Sequence, residues 1–183
     1  MKFVRTIPGY NHLWAVKEEG KETDELSLLF RQWSNLNYLL DFFFANLDDL
    51  KNFFRIKKVS DAIRDTMEDA QELERLILDF PYTEKLDGLF HPLSLADNRA
   101  HELTREKARN WDRAQHPSWL RIYAIRIEPN VYIVTGGAIK LTATMQEREH
   151  TQKELDKLNA CRDFLKQNGV FDQDSFVDFF EEG

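Results

Sequence analysis

Two apolar, strand-favouring runs around a tight turn constrain this chain more than any other stretch. Residues 119–127 read WLRIYAIRI, Glu128-Pro129-Asn130 supplies the turn, and residues 131–146 read VYIVTGGAIKLTATMQ. β-Branched and aromatic residues flanking such a turn predict a two-strand antiparallel meander. A helix is expected to follow, opening at Thr151, because Thr151-Gln152-Lys153-Glu154 matches a capping box. Leu155, Leu158, Cys161 and Leu165 give that helix an apolar stripe, and Asn168-Gly169 reads as its stop, with Val170 placed for the accompanying hydrophobic contact.

Strand alternation sorts the side chains of the meander. Arg121, Tyr123, Ile125 and Ile127 share one face of the first strand, and Leu120, Ile122, Ala124 and Arg126 share the other. Arg121 and Arg126 therefore cannot lie on one flat face without a bulge. In the second strand Tyr132, Val134, Gly136, Ala138, Lys140 and Thr142 alternate with Val131, Ile133, Thr135, Gly137, Ile139 and Leu141. A Gly136-Gly137 pair inside a strand predicts a bend, a bulge or a close backbone approach.

The rest of the chain reads as scaffold. Phe3–Ile7 and Leu13–Val16 flank Pro8-Gly9-Tyr10-Asn11, which predicts an N-terminal hairpin. Apolar residues recur at helical spacing from Asp24 to about Phe54, with Ser34-Asn35 as a break, and again from Ser60 through Phe80 until Pro81 ends the helix. Leu86, Leu89, Phe90 and Leu93 suggest a short packed segment. Ala100–Ala114 has helical character within a polar, Arg-rich region that is a candidate ligand-contacting element. The expected fold class is α+β, a small antiparallel (mixed) sheet packed by amphipathic helices. Residues 1–170 form one domain and 171–183 an acidic, Phe-rich tail.

Composition narrows the partners. With 42% hydrophobic residues the 183-residue chain can bury a core, and it contains no 18-residue apolar run, so no membrane partner is expected. A single cysteine, Cys161, fits a reducing cytoplasm. The net charge is −7, yet Arg99–Lys166 carries 13 Lys+Arg against 9 Asp+Glu. A locally basic segment thus sits inside an acidic chain, either as an ordinary solvated surface or as a grip for a polyanion. The five histidines show no metal-ligand spacing, and Arg105 stands where a zinc-protease helix starting at His101-Glu102 would need its second His. No metal or other cofactor is expected.

LDGLFHPL at 86–93, LRIYAIRI at 120–127 and GGAIKLTATMQ at 136–146 resemble divergent segments of the RelE/HigB-like superfamily of ribosome-dependent mRNA endonuclease toxins. WLRIYAIRI and TGGAIKLT also resemble a family of Bacteroidetes proteins along most of the chain, which implies no activity. The toxin resemblance covers roughly residues 86–168. It implies a RelE-like fold with extra helical and C-terminal segments, metal-free cleavage of ribosome-bound mRNA, and an antitoxin protein as partner. Such chemistry needs deprotonation of a 2′-hydroxyl, positive charge on the phosphorane and a proton for the 5′-oxygen. On that reading Arg121, Arg126 and Lys140 supply charge and His150 transfers protons, while Tyr123 and Thr142 contact RNA. The chain departs from the group in its length and acidity, in Lys140-Leu141 where a doubled basic pair is common, and in ending at Phe179-Phe180-Glu181-Glu182-Gly183 without a terminal Arg or Tyr. A RelE-fold protein that binds a protein partner or regulates without catalysis is the alternative.

Overall fold

The computed structural model describes residues 1–78, 86–113 and 116–182. They form an α+β fold in which helices cover both faces of a six-stranded mixed sheet ordered β1-β2-β6-β5-β4-β3. The expected hairpin is β1 (Lys2–Arg5) paired antiparallel with β2 (Leu13–Lys17). β2 then runs parallel to β6 (Val131–Ile139), with Trp14 opposite Ile133. From β6 the sheet continues antiparallel through β5 (Leu120–Glu128), β4 (Thr104–Ala108) and β3 (Phe90–Pro92). The meander therefore has more strands than its apolar runs announce.

The long helical stretch splits at its polar residues. α1 (Glu25–Trp33) starts where the Asp24 carboxylate accepts from Ser27 N, and α2 (Leu36–Ala45) where the Asn35 side chain accepts from Tyr38 N. Each cap satisfies a backbone donor that has no partner within its helix. Asn46 adds a further break before α3 (Leu47–Phe54). α4 is Val59–Leu78, and Phe80 and Pro81, the expected end of its stripe and its terminator, lie outside the described residues. α1, α2 and α4 cover one sheet face, where Leu29, Trp33, Phe43 and Leu73 pack with Ile122 and Val134.

α6 (Glu149–Gln167) and α7 (Gln173–Glu182) cover the other face. Leu155, Leu158, Cys161 and Leu165 lie buried against Tyr123, Ile125 and Ile133, as the stripe predicts. The tail folds as α7 and docks through Phe176, whose ring meets Trp14 and Phe3 edge-on at 4.9 and 5.5 Å. The helix stop is as expected: Gly169 has φ +74° and Val170 N donates to Leu165 O.

Two local readings are corrected. The capping box belongs to a short 3-10 turn, Met145–Glu147, where Thr144 and Glu147 bond each other reciprocally. Thr151 is buried inside α6 and its hydroxyl donates to the carbonyls of Met145 and Arg148. The Arg-rich stretch expected to be helical instead contains strand β4, with the short helix α5 (Leu86–Leu89) preceding it, while Ala114 lies outside the described residues. Hydrophobic periodicity cannot reveal β4 because its central inward side chain is Glu106. That carboxylate is fully buried and bonded by Arg99 and the Tyr132 hydroxyl.

Candidate functional site

A bulge between β5 and β6 decides what meets on the α6 face. Tyr123 lies opposite Gly136 and Ala124 opposite Val134, so Thr135 is an extra residue in β6. Before it Val131 and Ile133 face α6, and after it Ala138 does, which carries Lys140 to the same side. Without the bulge Lys140 would follow Tyr132 and Val134 to the α1 face. The glycines permit this crossing. A Cβ on Gly137 would strike the Arg121 carbonyl oxygen and approach Leu29 Cδ1 to 2.7 Å, and one on Gly136 (φ +157°) would strike the Glu154 carboxylate and come within 2.9 Å of Lys157 Nζ.

β4 supplies the remaining charge. Lys107 pairs with Tyr123 and Arg105 with Ile125, so alternation points Arg105, Lys107 and the next odd residue, Arg109, to the face of Arg121. With Arg121, Tyr123 and Lys140 these side chains line a cavity of about 600 Å³, to which Met145, Leu155, His91 and Trp111 also contribute. No carboxylate lines it among the described residues.

Arg105 is neutralised by Asp97 at 2.8 Å. Lys107, Arg109, Arg121 and Lys140 make no ion pair among the described residues. Lys107 Nζ donates to Leu93 O, Arg121 Nη1 to Ser118 O and Leu120 O, and Lys140 Nζ to Thr142 O and Ala143 O. Arg109 lies over the Trp111 ring at 4.3 Å, and among the described residues neither its buried Nε nor the buried Tyr123 hydroxyl has a hydrogen-bond partner. Burial and the neighbouring Arg121 and Lys107 push the Lys140 ammonium down to about 8. Burial and Arg109 push Arg121 down to about 10, and burial raises the Tyr123 phenol.

Like charges gathered in a partly dehydrated pocket, with donors to spare, are complementary to an oxyanion. Inorganic phosphate is therefore expected to raise the melting temperature relative to chloride at equal ionic strength, because a ligand of the folded state alone stabilises it by mass action. Arg121→Ala and Lys140→Ala should each reduce that rise. A shift that persists in both variants would place the anion elsewhere.

The structure brings Arg121, Tyr123 and Lys140 together in the cavity and leaves Arg126 and His150 apart. Thr142 is buried beside them, its hydroxyl donating to Thr144 O and its carbonyl accepting from Lys140. His150 bonds the Ile139 carbonyl, packs edge-on against Phe42 and lines a separate small cavity. Arg126 lies on the opposite sheet face, forked onto Asp87 at 3.1 Å through Nε and Nη2. Lys107 and Arg109, absent from the sequence candidates, are found only by reading 105–109 (REKAR) as a strand, where alternate positions are basic. Cys161 is buried in the core, its thiol pushed up to about 12 by burial.

The Arg126–Asp87 pair belongs to a structural network. Asp87 also accepts from Asn130 N and from the Tyr132 hydroxyl. Burial pushes its carboxyl up, but these donors outweigh burial and hold it at about 2. A folded-state value below the ordinary one means the stabilisation is complete above about pH 4 and lost as pH falls toward 2. Thermal melts from pH 7 to 2 should show that loss. Asp87→Asn should melt lower at pH 7 and show a shallower acid decline, and an unchanged acid decline would remove Asp87 from the account.

No family model, curated protein or solved structure matches the chain.

Proposed function

We propose that the protein is a metal-free RNA endonuclease that engages a phosphodiester in the cationic pocket, as the resemblance to ribosome-dependent mRNA toxins implies. The observation that carries this reading is the convergence of four cations that make no ion pair among the described residues, Lys107, Arg109, Arg121 and Lys140, around a Tyr123 hydroxyl with no hydrogen-bond partner among them. Arginine forks suit phosphate oxygens, and charge held ready in a dehydrated site stabilises a phosphorane better than charge in water. Lys140, with its ammonium pushed down to about 8, is neutral in roughly a tenth of molecules at pH 7.

On this reading neutral Lys140 takes the 2′-hydroxyl proton as the 2′-oxygen attacks phosphorus. The bond to the 5′-oxygen breaks, Tyr123 gives that oxygen its proton, and a 2′,3′-cyclic phosphate remains. Arg121, Arg109 and Lys107 hold the phosphorane oxygens. An antitoxin-type protein would silence the enzyme by covering the pocket, and ribosome-bound mRNA is the proposed substrate.

Induced expression in bacteria, with growth and mRNA integrity followed, tests this. The purified protein should also cleave single-stranded RNA, alone or with ribosomes, in the presence of a chelator and leave 2′,3′-cyclic ends. Absence of both growth arrest and cleavage with the wild type would overturn the enzyme reading. Phosphate-dependent stabilisation without cleavage would identify a non-catalytic, phosphate-binding module.

A further inference from the structure

The phosphate-binding cations occupy only part of their cavity. At about 600 Å³ it has the size of a pocket for a whole small ligand, far more than a phosphate group fills. The remainder is lined by Pro92, Leu93, Met145 and Leu155, together with a ring pair at the mouth. The His91 and Trp111 rings stack with centroids 4.0 Å apart at 14°. Trp111 Nε1 donates to Leu89 O, and His91 Nε2 lies 3.0 Å from Gly88 O, so backbone carbonyls engage the polar ring atoms. Arg109 lies over the same Trp111 ring at 4.3 Å, which joins the aromatic wall to the cation cluster.

A phosphate beside a planar, mainly apolar body is the outline of a nucleotide. We infer that the His91–Trp111 pair is a base-stacking wall and that the pocket takes one nucleotide of a single strand, its phosphate on Arg109, Arg121 and Lys140 and its base on the outer face of His91, because His91 and Arg109 already cover the two faces of Trp111. This rests on the phosphodiester reading above and adds to it the part that tells a nucleotide from a bare anion. Stacking on an aromatic side chain tolerates any base, because every base has a π face, so the wall confers a preference for bases without a fixed sequence. In a duplex the base would be held in its stack and withheld from the rings.

Intrinsic fluorescence gives a direct readout. Trp14, Trp33 and Trp119 are buried, whereas Trp111 is partly exposed at the cavity mouth. A 2′-O-methyl dinucleotide lacks the attacking hydroxyl and stays intact. It is expected to quench Trp111 and to bind roughly five- to a hundredfold more tightly than the same dinucleotide without bases, the range that one stacked base contributes. Inorganic phosphate is expected to bind without quenching. His91→Ala should narrow the gap between dinucleotide and abasic analogue to about twofold or less, while phosphate-dependent stabilisation is retained, and His91→Phe should preserve the gap.

If wild-type protein binds dinucleotide and abasic analogue equally while phosphate still stabilises it, the base wall is overturned and the phosphate site stands. If phosphate gives no stabilisation and neither dinucleotide binds, the phosphodiester reading falls and this inference with it. The comparison within the wild type keeps the test decisive even if a His91 variant folds poorly.

Discussion

Replacing Lys140 by alanine is expected to lower RNA cleavage by about a hundredfold or more, with the fold intact. General-base catalysis contributes on the order of 10²–10⁴ in rate, and removal of one preorganised charge from a developing oxyanion on the order of 10²–10³. Lys140 is half-exposed just beyond the end of β6, and its ammonium bonds only two carbonyl oxygens, so its loss leaves no buried charge behind. The pH dependence separates the two roles. Since kcat/KM reports the free enzyme, a base whose ammonium is pushed down to about 8 makes the rate rise with pH and level off above that value. Loss of Arg121 charge, pushed down to about 10, should bring it down again.

Lys140→Arg keeps positive charge but remains protonated throughout this range. Its rate should therefore stay low without the acid limb near pH 8. A Lys140→Arg variant with full activity and an unchanged profile would remove the proton-transfer role. Arg121→Ala should lose a similar factor through phosphorane stabilisation and keep the acid limb but move it to higher pH, because Arg121 is one of the charges that push Lys140 down. Parallel circular dichroism melts, expected to stay within a few degrees of wild type, distinguish lost chemistry from lost fold.

Gly137→Ala is expected to destabilise the sheet by about 3 kcal/mol, the upper part of the range for overpacking a core. The added Cβ meets the Arg121 carbonyl oxygen, a backbone atom of the paired strand, and Leu29 in the α1 layer at 2.7 Å. Neither can yield alone: moving the carbonyl disturbs the β5–β6 pairing, and moving Leu29 opens the core. For a chain of this size about 3 kcal/mol corresponds to a fall in melting temperature of roughly 6–12 °C. Gly88→Ala is the control, since a Cβ there meets nothing within 4 Å and its φ lies outside the strained range. A Gly137→Ala protein that melts like the Gly88→Ala protein would contradict the close approach. Any variant that folds with a shifted register should also lose phosphate stabilisation, because this crossing is what brings Lys140 beside Arg121.

How legible each element was follows from the physics that placed it. The N-terminal hairpin, the breaks at Ser34-Asn35, the stripe of α6 and the stop at Asn168-Gly169 each rest on contacts within a few residues, and their side-chain patterns state them directly. The opposite placement of Arg121 and Arg126 likewise follows from alternation within one strand. β4 was hidden because Glu106 occupies a position where alternation leads one to expect an apolar side chain, and it is tolerated because Arg99, seven residues away, and Tyr132, 26 residues away, bond it.

The site was half visible for the same reason. Arg121 and Tyr123 are neighbours on one strand face, and Gly136-Gly137 announced a bend, a bulge or a close backbone approach without saying which way Lys140 would emerge. Local sequence determined the helices, the paired strands and a basic stretch inside an acidic chain, because propensity, capping and periodicity act over a few residues. Only the tertiary structure decided that β4 lies beside β5, that one extra residue turns Lys140 toward Arg121, and that Lys107 and Arg109 join them with no carboxylate among the described lining. Those outcomes depend on pairings between segments remote in sequence, and charges brought close by such pairings repel or recruit an anion only once the chain is folded.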